Sequence, residues 1–243
     1  LLVGVAAAKS LAYARKLPLI PVNHLEGHVA AAYLSDPGLE PPFVALIASG
    51  GHTALYSVTP DRRMNLLGET LDDAAGEALD KGARMLGLGF PGGPAISKAA
   101  RDGDRDRYDF PVGLKGKDDL NFSFSGLKTS LLYKLKAMDR ERLSEELPHL
   151  AAGYEAAVVR ALSRKLLRAV DLYDAPAVVV AGGVAANTYL RHTLEEQCAR
   201  TGTALVIPPP ELCTDNAAMI GAAATSAPAV PYPEYLSLNA RRV

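Results

Sequence analysis

The feature that most constrains the fold is the alternation of short apolar runs and helical patterns in the last third of the chain. The apolar runs 177–181 and 204–207 are followed by helical patterns at 187–199 and 215–225. Apolar runs this short, alternating with helices, are typical of βαβ units. The pattern predicts an α/β fold whose sheet is covered by helices on both faces.

The rest of the chain contains further patterns of both kinds. Asn23 is a candidate N-cap for a helix that runs to about residue 34. The other predicted helices cover 1–16, 72–86, a segment after 91–94, 125–137 and 140–172. The other predicted strands cover 19–22, 43–48, 53–58 and 63–70. The polar segment 101–121 is predicted to be a surface excursion.

The charge of the chain limits what it can attract over a distance. It carries 26 Lys and Arg residues against 27 Asp and Glu, so the net charge is -1. A nucleic-acid substrate would therefore need a local basic patch or a partner protein. Candidate residues for such a patch are Lys115, Lys117, Lys128, Lys134 and Lys136. A solvated helix face is the alternative interpretation of these lysines.

The cysteines and the chain start bear on location. Cys198 and Cys213 form no CxxC pair, which favours a reducing cytosol. No apolar run reaches the roughly 18 residues of a membrane-spanning helix, so we expect a cytoplasmic protein without membrane contact. Because the sequence begins without Met inside a helical pattern, we expect an N-terminally truncated fragment.

A pair of histidines is the first candidate for chemistry. His24 and His28 are four residues apart, so on a helix they project from one face and can bind one metal ion. Asp215 is a candidate third ligand. The alternatives are surface histidines and a helix N-cap at Asp215. A zinc protease would need HExxH, and Glu26 does not occupy that position, so the indication for peptide hydrolysis is weak.

Glycine pairs at two predicted strand ends are the second candidate. They lie in the turns 49–53 and 181–185, where backbone N–H groups can approach an anion. Together with the Pro-Gly-Gly-Pro segment 91–94, they favour a nucleotide cleft. Tight turns without a ligand are the alternative, and neither turn is a P-loop or a Rossmann fingerprint.

Acidic residues in the predicted helix after residue 71 are the third candidate. Asp72 and Asp73 would interact favourably with the helix dipole and need no further role. Asp80 lies inside the helix, where its carboxylate could accept hydrogen bonds from the two hydroxyls of a ribose. A solvated polar face is the alternative.

Several motifs in order resemble one known family across residues 1 to about 240. They are NHLEGH, ASGGHTAL, LDDAAGEALDKGARMLGL followed by FPGGP, NFSFSGLKT, AGGVAANTYLR and CTDNAAMIG. The chain thereby resembles the TsaD/Kae/Gcp proteins, the catalytic subunits of tRNA N6-adenosine threonylcarbamoyltransferase, once called glycoprotease.

The resemblance implies an actin/Hsp70/sugar-kinase-like (ASKHA) fold with two ribonuclease-H-like lobes around a cleft. Residues 1–70 would be the remainder of an incomplete first lobe. Residues 71–243 would be the second lobe, with a helical insertion over about 91–172 and the nucleotide cleft. The β-rich, acidic phosphate-loop region that usually precedes the first helix in this family is absent from the sequence, which leaves the activity of this polypeptide open.

The resemblance also implies a reaction and a site. Threonylcarbamoyl would pass from threonylcarbamoyl-AMP to adenosine in tRNA. The implied metal, Fe(2+) or alternatively Zn(2+), would be bound by His24, His28 and Asp215. The implied substrate-binding residues are Ile47, Ala48, Ser49, Gly50, Gly51, Asp80, Gly93 and Asn187. His52 is a weak candidate for the proton acceptor, and TsaB-like and TsaE-like subunits are the implied bacterial partners.

Two rival functions come from other classes. An ATPase or sugar kinase of the same fold would bind Mg²⁺, which prefers oxygen ligands, so the paired histidines argue against it. A catalytically incomplete scaffold is the other rival, and nucleotide binding without turnover would favour it.

Overall fold

A single mixed sheet organises the chain in the computed structural model, which describes residues 2–116 and 119–239. Its strands are β1 (Phe43–Ala48), β2 (Thr53–Val58), β3 (Met64–Glu69), β4 (Ala177–Ala181) and β5 (Ala204–Val206). The strand order is β3-β2-β1-β4-β5. β1 to β3 form an antiparallel meander, whereas β4 pairs parallel to both β1 and β5. The predicted strand at 19–22 is wrong, because only an isolated bridge joins Leu19 to Val230.

The sheet joins segments from both sides of residue 70, where we predicted a boundary between lobes. β1 lies before that residue and β4 after it, and Val44 to Ile47 pair directly with Val178 to Ala181. Strands on both sides of residue 70 therefore belong to one layer, and the division at that residue stays a prediction. Parallel pairing joins segments far apart in the chain, and no local pattern announces it.

The helices follow the predicted pattern closely. They are α1 (Leu2–Arg15), α2 (His24–Ser35), α3 (Ala75–Met85), α4 (Gly92–Ala99), α5 (Ser125–Lys136), α6 (Arg140–Tyr173), α7 (Thr188–Thr201), α8 (Pro210–Cys213) and α9 (Ala217–Ala224). α3 and α9 begin three and two residues later than expected, α7 begins one residue later, and α8 was not predicted. The carboxylate of Asp72 accepts hydrogen bonds from Phe124 N and Ser123 Oγ, so Asp72 ties the α5 start to the chain ahead of α3.

Two apolar clusters lie on opposite faces of the sheet. On one face Val44, Leu46 and Val180 pack with residues of α3, α4 and α6. On the other face Ala45, Ile47 and Val179 pack with α2. Every residue of β1 and β4 is buried, as expected for central strands covered by helices on both sides.

The segment 101–121 is only partly the surface excursion that we expected. Phe110, Val112 and Leu120 are buried and belong to the core cluster beside α6. Isolated apolar residues in a polar, irregular stretch carry no periodicity, so their burial was not visible in the sequence. Lys117, one of the candidate patch lysines, lies outside the described residues.

Within the described ranges, no helix combines the length and apolar character needed to cross a membrane.

Candidate metal centre and nucleotide-binding edge

The paired histidines lie at the start of α2. The Asn23 side chain accepts a hydrogen bond from Leu25 N and caps the helix, which makes His24 its first residue. His28 follows one turn later on the same face. α9 packs across α2 at Gly27, where a Cβ would come within 2.9 Å of Ile220 Cδ1. This close helix crossing depends on a residue without a side chain.

Asp215 reaches both imidazoles from the segment before α9. Its Oδ1 lies 3.4 Å from His24 Nε2 and 3.4 Å from His28 Nε2. One ligand atom from each of the three residues lies within 4.8 Å of the others. Asn216, not Asp215, caps α9, because its side chain accepts from Met219 N. The helix-cap alternative for Asp215 is therefore wrong.

The burial and the lowered pKa of His28 are those expected of a metal ligand. Its side chain is 1% exposed, and neither ring nitrogen has a hydrogen-bond partner within the part of the chain that the structure describes. Burial, reinforced by the nearby His24, lowers the pKa of His28 below its usual 6.5. The ring is therefore neutral at pH 7, with a nitrogen lone pair available. Buried polar groups without partners are costly, and a bound cation would supply the missing interaction.

The two glycine turns lie side by side. β1 and β4 are adjacent and parallel, with Ile47 paired to Ala181, so the turns that follow them share one edge of the sheet. Gly182 has φ +90, and a Cβ there would lie 2.4 Å from Ala48 O. By contrast, Cβ atoms at Gly50 and Gly183 would meet no atom of the described residues within 4 Å. The edge thus combines a tight backbone contact with open space beside it, where ligands bind in α/β sheets.

The turn after β1 also contacts the N-terminus of α3. Gly76 N donates to Ser49 O at 3.1 Å, and a Cβ on Gly76 would come within 2.8 Å of Gly50 Cα. The buried Thr53 hydroxyl accepts from Ala75 N at 2.8 Å. The α3 N-terminus is thereby held against the glycine turn, and its dipole adds positive potential there.

Asp80 lies on α3 and binds the start of α4. Its Oδ1 accepts a hydrogen bond from Gly92 N at 2.7 Å, and a Cβ on Gly92 would come within 2.4 Å of Asp80 Cα. Asp80 is therefore more than a solvated residue on a polar helix face, because it holds the Pro-Gly-Gly-Pro segment against α3. Among the described residues, a Cβ built on Gly93, the next residue, would meet only the Leu79 side chain, at 3.8 Å.

Asn187 caps α7 and binds two other helices. Its Oδ1 accepts from Leu190 N at 2.8 Å. Its Nδ2 donates to Ser97 Oγ of α4 at 3.0 Å and to Glu155 Oε1 of α6 at 2.8 Å. Asp80 and Asn187 therefore meet the same helix, α4, at different points.

His52 belongs to the glycine turn that follows β1. It is close enough to His28 for their charges to interact, and its backbone N donates to Ser49 Oγ at 3.1 Å. Its backbone, not its imidazole, closes the turn.

The residues that support the candidate sites and that sequence reasoning missed are Thr53, Gly76, Ser97 and Glu155. A signal for Glu155 existed, because it is the one charged residue in the run LAAGYEAAVV at 150–159. A lone carboxylate in an apolar helical run is buried together with that run. It is stable there only if hydrogen-bond donors or positive charges surround it.

Comparisons with known proteins identify a matching family model and similar sequences. The family model described as TsaD: tRNA N6-adenosine threonylcarbamoyltransferase matches residues 1–222. A Syntrophus aciditrophicus protein named tRNA N6-adenosine threonylcarbamoyltransferase is 49% identical over 240 residues, which cover 99% of this chain and 70% of that protein.

Solved structures show the same fold at low identity. HypF from T. kodakarensis has a TM-score of 0.69 and 14% identity, over 90% of this chain and 38% of that one. Component A of (R)-2-hydroxyglutaryl-CoA dehydratase from Acidaminococcus fermentans has a TM-score of 0.52 and 17% identity, over 84% and 67% of the two chains. These likenesses concern the fold alone, and they confirm the expected ASKHA-type α/β class.

Proposed function

The chain belongs to the TsaD family of tRNA N6-adenosine threonylcarbamoyltransferases, and from this membership we propose the reaction that it carries out. Threonylcarbamoyl passes from threonylcarbamoyl-AMP to N6 of the adenosine beside the anticodon, in tRNAs that read codons beginning with A. The N6–carbamoyl bond forms, the bond between the carbamoyl carbon and the phosphate oxygen breaks, and AMP and a proton leave. The single observation that supports this assignment most strongly is the cluster of His24, His28 and Asp215.

The proposed metal is one divalent ion per chain. Two imidazole nitrogens and a carboxylate oxygen are donors that suit iron and zinc and that Mg²⁺ disfavours. We take Fe(2+) as the resident ion and Zn(2+) as the alternative. When bound, the ion supplies Lewis-acid stabilisation of negative charge on substrate oxygens.

The protein's own groups bind and orient the nucleotide. We assign the phosphate to the backbone N–H groups of the turns after β1 and β4, within Ile47 to Gly51 and at 182–183. These donors are held in place by the Gly76 and Gly182 contacts, so they need no reorganisation as charge develops. The adenosine is assigned to Asp80, Gly93 and Asn187. The proton acceptor for the amine stays unassigned, with His52 as the candidate.

The rival functions are less well supported. The relatives carry the transferase name, which does not favour an ATPase, a kinase or a peptidase. The scaffold alternative rests on length, because the chain spans about two thirds of the relatives it matches. We place the reaction in the cytoplasm, and the two buried free thiols, Cys198 and Cys213, accord with a reducing compartment.

Replacing Asp80 by alanine is expected to weaken AMP binding about 5- to 150-fold. Such a change removes a charged hydrogen-bond acceptor and is worth roughly 1–3 kcal/mol. Isothermal titration calorimetry of the purified chain with AMP measures it. The matched control is Glu77→Ala on the same helix, whose carboxylate pairs with Lys81. Absence of AMP binding by the wild-type chain would contradict the proposed function, and equal affinities would remove Asp80 from the site.

The α5 surface is the proposed site of weak tRNA contact. Three lysines, Lys128, Lys134 and Lys136, and no acidic residue occur in the sequence of this helix. With so few cations, we expect the log–log dependence of tRNA affinity on salt to have a slope of roughly -2 to -4. Fluorescence anisotropy at several salt concentrations measures it, and TsaB-like and TsaE-like partners are expected to tighten binding.

Reversing the charge of two lysines tests whether α5 forms the tRNA-binding surface. Lys128→Glu with Lys136→Glu should weaken tRNA binding by about tenfold and flatten the slope. Arg63→Ala is the control, because that guanidinium pairs with Asp61 at 2.8 Å. Tight binding by the isolated chain that does not respond to salt would refute this assignment.

A further inference from the structure

A buried carboxylate lies where three helices meet beside the proposed nucleotide site. Glu155 of α6 is 1% exposed. Its Oε1 accepts from Ser97 Oγ at 2.6 Å and from Asn187 Nδ2 at 2.8 Å. Its Oε2 accepts from Arg105 at 3.3 Å, and that guanidinium stacks 4.1 Å from the Tyr189 ring centroid. Glu155 thus joins α4, α6 and the first turn of α7.

These bonds fix the orientation of the Asn187 amide. A carboxamide has two N–H donors and one oxygen with two lone pairs. Nδ2 donates to Ser97 Oγ at 3.0 Å and to Glu155 Oε1 at 2.8 Å, and these two oxygens are only 2.6 Å apart, so a single N–H serves both. Oδ1 accepts from Leu190 N. The second N–H and the second lone pair of Oδ1 remain for a ligand.

Packing alone does not call for a charged residue at position 155. Burying a carboxylate is costly unless donors surround it, and a well-packed apolar side chain of similar volume often stabilises as much. Glu155 is surrounded by three donors, two of which belong to α4 and α7. α4 is also the helix whose first residue, Gly92, binds Asp80. The carboxylate thus couples the positions of two residues assigned to the adenosine.

We propose that Glu155 is a positioning residue for nucleotide binding. It fixes the amide of Asn187 through one N–H, so that the second N–H and the free lone pair of Oδ1 are oriented toward the hydroxyl groups of the nucleoside. This inference rests on the proposed adenosine site. It adds the residue that orients Asn187.

Two substitutions at this position separate hydrogen bonding from charge. Glu155→Met keeps the volume but removes the acceptor, and should weaken adenosine binding about tenfold or more. Glu155→Gln keeps an amide oxygen for Ser97 and Asn187 but replaces the acceptor beside Arg105 with an amide N–H. Because the Arg105 side chain is partly exposed, water can take that place, and affinity should stay within about threefold of wild type. Adenosine is the probe, measured by calorimetry, because it has the hydroxyls and lacks phosphate.

The matched control lies on the same helix. Glu146 also pairs with an arginine, Arg107, and accepts from Tyr108 at 2.9 Å, but among the described residues it forms no hydrogen bond or ion pair with α4 or α7. Glu146→Met should leave adenosine affinity unchanged. If Glu155→Met does not fold, Asn187→Asp replaces it, since that change opposes two carboxylates. Adding Glu155→Gln to Asn187→Asp then supplies a donor and should restore at least about tenfold of the lost affinity.

The outcomes distinguish this inference from the proposed function. If the wild-type chain binds AMP and Glu155→Met binds adenosine like wild type, the positioning role is overturned and the proposed function stands. The same holds if Glu155→Gln binds as weakly as Glu155→Met, or if the double variant binds no better than Asn187→Asp. If wild type binds neither AMP nor adenosine, both are overturned.

Discussion

His28→Ala is expected to reduce the metal content of the purified chain to less than about a tenth of wild type. Changing a residue that merely supports a metal ligand costs 10- to 100-fold in affinity, so losing a ligand is expected to cost roughly 100-fold or more. The remaining His24 and Asp215 are partly and largely exposed, at 28% and 75%, so water competes for their ligand atoms. Inductively coupled plasma mass spectrometry measures the metal per chain.

The histidine control is His192→Ala. His192 is exposed on α7 and pairs with Glu196, away from the cluster. It should carry as much metal as wild type. Metal content in His28→Ala equal to that of wild type would show that the three residues do not form the binding site. The element found in the wild-type chain decides between iron and zinc.

Gly182→Ala is expected to destabilise the fold by about 2–5 kcal/mol. An alanine would have to keep φ +90, and its Cβ would lie 2.4 Å from Ala48 O and 2.8 Å from Ala48 C. Backbone strain of this kind costs roughly 1–3 kcal/mol, and overpacking against a rigid neighbour costs a similar amount. Because Ala48 ends the central strand β1, the cost reaches the middle of the sheet. Urea unfolding followed by circular dichroism measures it.

The neighbouring glycine supplies the comparison. Gly183 has no atom within 4 Å of a built Cβ, and it lacks a positive φ. Gly183→Ala should change the unfolding free energy by less than about 1 kcal/mol. It can still weaken AMP binding, because the new methyl group would fill the open space beside the turn. Equal unfolding free energies for both variants would refute the contact between Gly182 and β1.

Much of the local structure was readable from the sequence. The strands 43–48, 53–58 and 177–181 and the helix that begins after Asn23 form where local patterns predicted them. His24 and His28 also share a face, because their spacing matches the helical repeat. Such features depend on residues within about four positions of one another, so a single stretch of sequence contains the whole cause.

The order of the motifs indicated the family, but it did not predict which residues of this chain contact one another. Six short motifs together predicted the ASKHA fold and named His24, His28 and Asp215 as metal ligands. Nothing in any one motif says that Asp215 approaches His28, since that distance depends on how α9 packs across α2 at Gly27.

The tertiary structure alone decided which distant segments meet. The parallel pairing of β1 with β4 places the two glycine turns together and joins strands from both sides of residue 70 in one layer. The same assembly buries Glu155 against Ser97 and Asn187. It also buries Phe110, which belongs to a segment that the sequence predicted to lie on the surface. The physical reason is that strand pairing and helix packing minimise exposed apolar area over the whole chain, whereas periodicity reports only which face each element buries.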